Sequence, residues 1–279
     1  MKGKNTELTG KGRFNLQNIQ QFITNFRKYF RYAYREAKAE LKSEVSDSYL
    51  NWIWWVLNPL AFMLIYTVVF GYIFKASEKY FIPFVLIGVT VWDFVSRMLT
   101  VSVNLIVYKR DLVTKAYIPK YILLFSKSLV YLFKFFISLS LLIIAMFIQR
   151  VPFSFRMLYF FPILLVLIVV AFGAGMILMH FGVFVQDLSN AITILLRFLF
   201  YLSGVFYNIN IRIKEETIRF FLLRANPFAF VMNEFRKVMI YNQDPSFKGL
   251  LVWLLIGFLL CLLGIRLIHK NENSYAKVI

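Results

Sequence analysis

Asn104-Leu-Ile-Val-Tyr108-Lys109-Arg110-Asp111-Leu112-Val-Thr-Lys115-Ala-Tyr117-Ile118-Pro119-Lys120-Tyr121 is a short charged bridge between two long apolar runs. Lys109, Arg110, Lys115 and Lys120 stand there against one acid, Asp111. A short basic loop between two membrane spans stays cytoplasmic during insertion. Leu112, Val113, Tyr117 and Ile118 give the loop an apolar side as well. This is the make-up of a handle that docks a soluble partner.

Outward from the bridge, the runs Phe81–Val107 and Tyr121–Ile148 read as the second and third spans. Charge-poor runs of about 20 residues are the signature of a membrane helix. The first span is Trp52–Phe74, without a charge and opened by Trp52, Trp54 and Trp55, which suit an interfacial belt. Pro59, shortly inside it, predicts a kink. Met157–Val185, Ala191–Phe206 and Gly249–Ile268 complete six spans. Apolar residues make up 60% of the 279 and the mean hydropathy is +0.67, against roughly 45–50% apolar in soluble domains. The expected fold is therefore an all-α polytopic membrane protein. Residues 1–51 form a cytoplasmic tail and interfacial helix, 52–268 the membrane domain, and 269–279 a short polar tail.

The net charge of +18 is the usual enrichment of Lys and Arg on the cytoplasmic flanks of membrane proteins, not a nucleic-acid footprint. Six spans put both termini on one side. With the N-terminus inside, the inside segments hold 17 Lys and Arg and the outside segments 11. With no signal-peptide core in the first 50 residues, the first span is expected to act as its own insertion signal.

Three further patterns carry function. Between Phe14 and Val45, apolar residues recur every three or four positions, opposite Arg27, Lys28, Arg31, Arg35, Lys38 and Lys42. That is an amphipathic basic helix of the membrane interface. Arg31, Arg35, Lys38 and Lys42 on it are candidates to meet anionic head groups at the membrane surface. Asp93 and Arg97 lie one turn apart in the second span. They form either an ion pair that locks helices together or part of a translocation path or gate. Trp55, Phe62, Tyr66 and Phe70 fall on one stripe of the first span. They line a path or face lipid and other helices. Residues 207–248 are too short to span and too apolar for a free loop. Asn226-Pro227 at their centre points to a re-entrant hairpin, buried in protein or lining a cavity. In the fourth span, Gly173 and Gly175 permit close helix contact and the lone His180 reads as a packed histidine. Lys134 in the third span is deep enough to meet a partner or a cavity. Arg197 lies in the fifth span.

The sequence lacks a Gly-x-x-x-x-Gly-Lys-Ser/Thr loop, a paired-His metal motif and a serine elbow. Its single Cys261 excludes a disulfide framework. Asp93 is the sole acid in the predicted spans, whereas proton-coupled carriers need more. The energy source is expected on another chain.

These residues resemble the permease subunit of an ABC-2-type exporter, in the branch that moves lipid-linked surface polymers. The similar stretches are Trp54-Trp-Val-Leu-Asn58-Pro59-Leu60, Asn104-Leu-Ile-Val-Tyr-Lys109 with Ile118-Pro119, Phe200-Tyr-Leu-Ser203-Gly-Val-Phe-Tyr207, and Asn226-Pro227-Phe228 with Glu234 and Arg236. They cover nearly all of residues 30–270. A basic residue common in the family before Asp187 is Gln186 here. The resemblance implies a homodimer in a bacterial cell membrane with both termini cytoplasmic, working with two copies of a separate ABC ATPase that binds ATP and Mg. No cofactor or metal is expected on this chain. The interfacial helix is implied to lie on the inner leaflet. Lys109, Arg110, Asp111, Leu112, Tyr117 and Pro119 are implied to form the coupling helix that fits the ATPase. The implied substrate is a polyisoprenyl-pyrophosphate-linked polymer, wall teichoic acid first. The alternatives are O-antigen or capsular polysaccharide, or a drug or small lipid.

Overall fold

The computed structural model describes residues 16–46, 51–73, 78–115 and 118–278, and among these there is no strand. Helix α1 (Leu16–Ser46) precedes α2 (Asn51–Tyr66), which continues as a π-helical stretch, Thr67–Ile73. Then come α3 (Phe81–Tyr108), the short α4 (Arg110–Lys115) and α5 (Lys120–Ile148). A 3₁₀ turn, Phe155–Tyr159, leads into α6 (Phe160–Phe184), followed by α7 (Leu188–Leu202). Three short helices, α8 (Ile209–Arg212), α9 (Glu216–Ala225) and α10 (Pro227–Met239), precede α11 (Phe247–Val278).

The chain is an all-α polytopic membrane protein. Five helices are long and apolar enough to cross a bilayer: Trp52–Ile73, Phe81–Tyr108, Lys120–Ile148, Phe155–Phe184 and Phe247–Asn271. These five are the ones among the described residues, and the expected fifth crossing is shorter. Helix α7 has 15 residues, about 22 Å at 1.5 Å per residue against a hydrocarbon core of about 30 Å. The chain turns at Ser203-Gly204 and returns through α8 to α10.

The core lies where α3 and α6 meet α5, α10 and α11. Helices α6 and α11 touch at small residues: a Cβ on Gly173 would stand 2.9 Å from Cys261 N and 3.0 Å from Gly257 O, so only Gly allows the backbones this close. Pro59 sits buried inside α2. The departure from α-winding comes two turns later, where the π-helical stretch sets Phe70 on Phe206 with ring centroids 4.1 Å apart.

One expectation changes. The polar tail from residue 269 instead continues α11 to Val278, and Tyr275, fully buried, holds its hydroxyl 2.8 Å from Nδ1 of His180. A single aromatic in a polar stretch makes no periodic pattern, which is why it read as a tail. Helix α1, expected at the interface, also packs on the bundle. Ala33 and Ala37 are buried, and Phe26 packs edge-on against Phe125 of α5 at 4.5 Å.

Candidate transport site

The spacing of acids along α1 decides how it docks. Glu36, Glu40 and Glu44 recur every four residues and so share one stripe. Lys109, Lys127 and Lys134 meet them in order, at 2.6, 2.5 and 2.7 Å. Because the pairs climb in the same sequence along α1 and α5, the two helices run in the same direction there. The cations expected to receive head groups, Arg31, Arg35, Lys38 and Lys42, are all on the exposed side. The periodicity gave that face correctly but missed the acidic stripe between it and the apolar one. Tyr32 also donates toward Glu36, at 3.5 Å; burial and that carboxylate push its hydroxyl up to about 12.

Trp55 belongs to this joint. Its indole N–H donates to Glu44 at 3.0 Å, its ring packs on Phe133, and the Lys134 ammonium lies over it. It thus stands apart from the rest of the aromatic stripe. Phe62 stacks on Tyr66, and Tyr66 contacts Phe200 and Phe206. Lys134, expected to meet a partner or a cavity, does both: besides Glu44 it lines a small cleft with Trp55, Asn58, Pro59, Phe62 and Asp93.

Next to that cleft lies a larger one of about 570 Å³ between α2, α3 and α7. Phe62 and Tyr66 come from α2, Trp92, Asp93, Ser96 and Thr100 from α3, and Thr193, Arg197, Phe200 and Tyr201 from α7. Trp92 meets Phe200 edge-on at 5.5 Å. The Arg97 Nε–H donates to both oxygens of Asp93, at 2.7 and 2.8 Å. This ion pair forms inside α3 and ties it to no other helix; both side chains stay partly exposed to the clefts. Ring faces beside a few charges and hydroxyls can hold a sugar by stacking and hydrogen bonding. Phe62, Tyr66 and Asp93 were legible in the sequence. Trp92, Phe200 and Tyr201 were hidden because they lie on two further helices, and only the fold brings them together.

A sequence model of the ABC-2 type transporter family matches residues 35–240. The chain belongs to this family. Over 238 residues it is 24% identical to the O-antigen export system permease protein RfbA of Myxococcus xanthus, covering 85% of this chain and 91% of that protein. Two Klebsiella pneumoniae proteins of the same name are 20% and 19% identical over 235 residues, each alignment covering 84% of this chain and 89% of theirs. Membership makes this a multi-pass membrane transport subunit of the ABC-2 type.

In this ABC-2 chain the expected coupling residues do not all share one setting. Arg110 and Asp111 are exposed on α4, and Leu112 turns partly against the core. Lys109 is engaged by Glu36 and serves the joint with α1. Pro119 is buried at the start of α5. Tyr117 lies outside the described residues. The Asn226-Pro227 pair starts a helix: the Asn226 carboxamide accepts from Phe228 N and Ala229 N, Pro227 occupies the first turn, and Asn226 Nδ2 donates to Ser203. Helix α10 is buried against α3 and α6, while α9 exposes Phe220 and Phe221. Glu234 and Arg236, read from sequence only as part of the resemblance, are buried pins. Glu234 accepts from Ser246 N and Lys237, both at 2.6 Å, holding the approach to α11. Arg236 donates to the carbonyls of Phe84, Gly204 and Val205. Beyond α10, Tyr241 donates to Glu78 at 2.5 Å; burial, then that carboxylate, raises its pKa.

Proposed function

We propose that this chain is the permease of a bacterial ABC exporter that carries a lipid-linked polysaccharide of the O-antigen class from the cytoplasmic to the outer face of the cell membrane. It works as a homodimer with two copies of a separate ATPase, both termini cytoplasmic, and α7 with the turn after it completes a sixth crossing. The observation that carries the reading is the aromatic cleft between α2, α3 and α7. A drug or small lipid needs no row of ring faces; a sugar chain sliding past does. The relatives' names support O-antigen over wall teichoic acid, the polymer expected first. In this reading α4 receives the ATPase, and the exposed cations of α1 meet the pyrophosphate where it enters.

The test is deletion of the gene in its host and chemical analysis of the lipid-linked polymer. A polysaccharide should accumulate inside and vanish from the surface. Accumulated polyol phosphate instead would return the reading to teichoic acid, and an unchanged surface would remove it. The double change Tyr66→Ala and Phe200→Ala should lower export while the assembly stays intact. Full export in that variant places the rings outside the path.

A further inference from the structure

The starting observation is a cation without a counter-ion. Within the five long spans and α7, Asp93 is the one carboxylate, and Arg97 occupies both of its oxygens. Lys127 and Lys134 are answered from α1 by Glu40 and Glu44, and Arg156 by Asp244. Lys248, Arg266 and Lys270 lie near the ends of their span, where long side chains reach the interface, and Lys120, buried at the start of α5, is engaged within the chain. Arg197 is different. It stands nine residues into α7, lines the aromatic cleft, and has no hydrogen-bonding or ionic partner among the described residues. A second copy of the chain adds no acid within the spans beyond another Asp93. An ionised side chain inside a membrane protein that the chain itself does not neutralise marks a ligand site.

The charges in the cleft also limit the ligand. Asp93 is cancelled by Arg97, which lines the neighbouring small cleft, and Lys134 there is answered by Glu44, so Arg197 leaves one positive charge in the aromatic cleft. That balances one negative charge, while a pyrophosphate brings an excess that nothing there offsets. The walls are Phe62, Tyr66, Trp92 and Phe200, which suit a ring rather than a bare ion.

We propose that this cleft recognises a sugar unit bearing a single negative charge, a phosphodiester or a carboxylate, with Arg197 holding the anion and the ring lying on the aromatic wall. The inference rests on the polysaccharide reading above and narrows it to an anionic polymer.

The test uses the full-length chain in phosphatidylcholine nanodiscs and calorimetric titration with three oligosaccharides of equal length. One carries a phosphodiester, one a uronic acid, and one is neutral. At least one anionic ligand should bind about 10- to 100-fold tighter than the neutral one, the worth of a charge-assisted hydrogen bond. Whichever binds names the source of the charge. Arg197→Gln should remove the preference and Arg197→Lys keep part of it, with neutral binding unchanged in both. Equal binding of charged and neutral ligands, or a preference that survives Arg197→Gln, overturns the inference and leaves the polysaccharide reading standing. No binding by any of the three removes both. A repeat in phosphatidylglycerol nanodiscs should keep the preference. Its loss assigns Arg197 to a lipid phosphate and also overturns the inference.

Discussion

Arg236 can donate but not accept, and its place at 5% exposure therefore demands acceptors on every side. Three backbone carbonyls supply them, at 2.7–3.3 Å, and the guanidinium carbon lies 3.4 Å from the Phe84 ring centroid. Gly88 makes the room. A Cβ there would stand 2.3 Å from Val205 O and 2.8 Å from Arg236 Nη2. One side chain thus joins the N-terminal end of α3 to the turn after α7. Arg236→Met leaves Gly204 and Val205 carbonyls without their donor and should cost roughly 2–4 kcal/mol. Thermal unfolding in detergent measures it, and a midpoint equal to wild type would show that water replaces the arginine. Arg236→Lys should recover only part, because an ammonium is a point donor and cannot fork across three carbonyls. Such a residue is hard to see in sequence: Arg236 sits in an ordinary amphipathic stretch, and its partners are main-chain atoms, which carry no sequence signal.

The long spans were legible for a plain reason. Lipid disfavours charge and does not tolerate an unpaired backbone, so each span has to be a long, charge-poor helix, and the observed ends fall within a few residues of the expected ones. What lies between them follows other rules. Helix α10 holds its place by burial and a side-chain cap, and α7 is short because the chain turns back into protein. Helix α1 shows the limit most clearly. Its apolar and basic faces follow from a period of three to four, but an acidic stripe has meaning only once Lys109, Lys127 and Lys134, from elsewhere in the chain, are seen to face it. These pairs are half-sheltered, and each should contribute about 1–2 kcal/mol, more than surface pairs. Glu40→Lys and Lys127→Glu should each destabilise, and the double exchange should restore most of the loss. Additive losses in that double-mutant cycle would mean that the two side chains do not act on each other.

At the scale of the whole molecule, the ladder makes one body of elements that sequence order separates. Lys109, between α3 and α4, is held by Glu36, and α1 is held to α5 two further times. A push on α4 therefore moves α1, α3 and α5 together. Helix α2 is tied to the same body through Trp55, and α7 faces it across the cleft, so the cleft should change shape when that body moves. Two disturbances separate receipt of force from its transmission. Arg110→Glu acts on the exposed face of α4, where the ATPase is proposed to dock, and should weaken association with it. Glu36→Gln leaves that face intact and cuts the first rung. It should preserve association and ATP hydrolysis while lowering export per ATP by roughly fivefold or more, within the usual range for coupling between sites. Reconstituted transporter, with ATP hydrolysis and export measured in the same vesicles, gives both numbers. Undiminished export per ATP in Glu36→Gln would make the ladder a static support, and force would then have to pass through α3 alone.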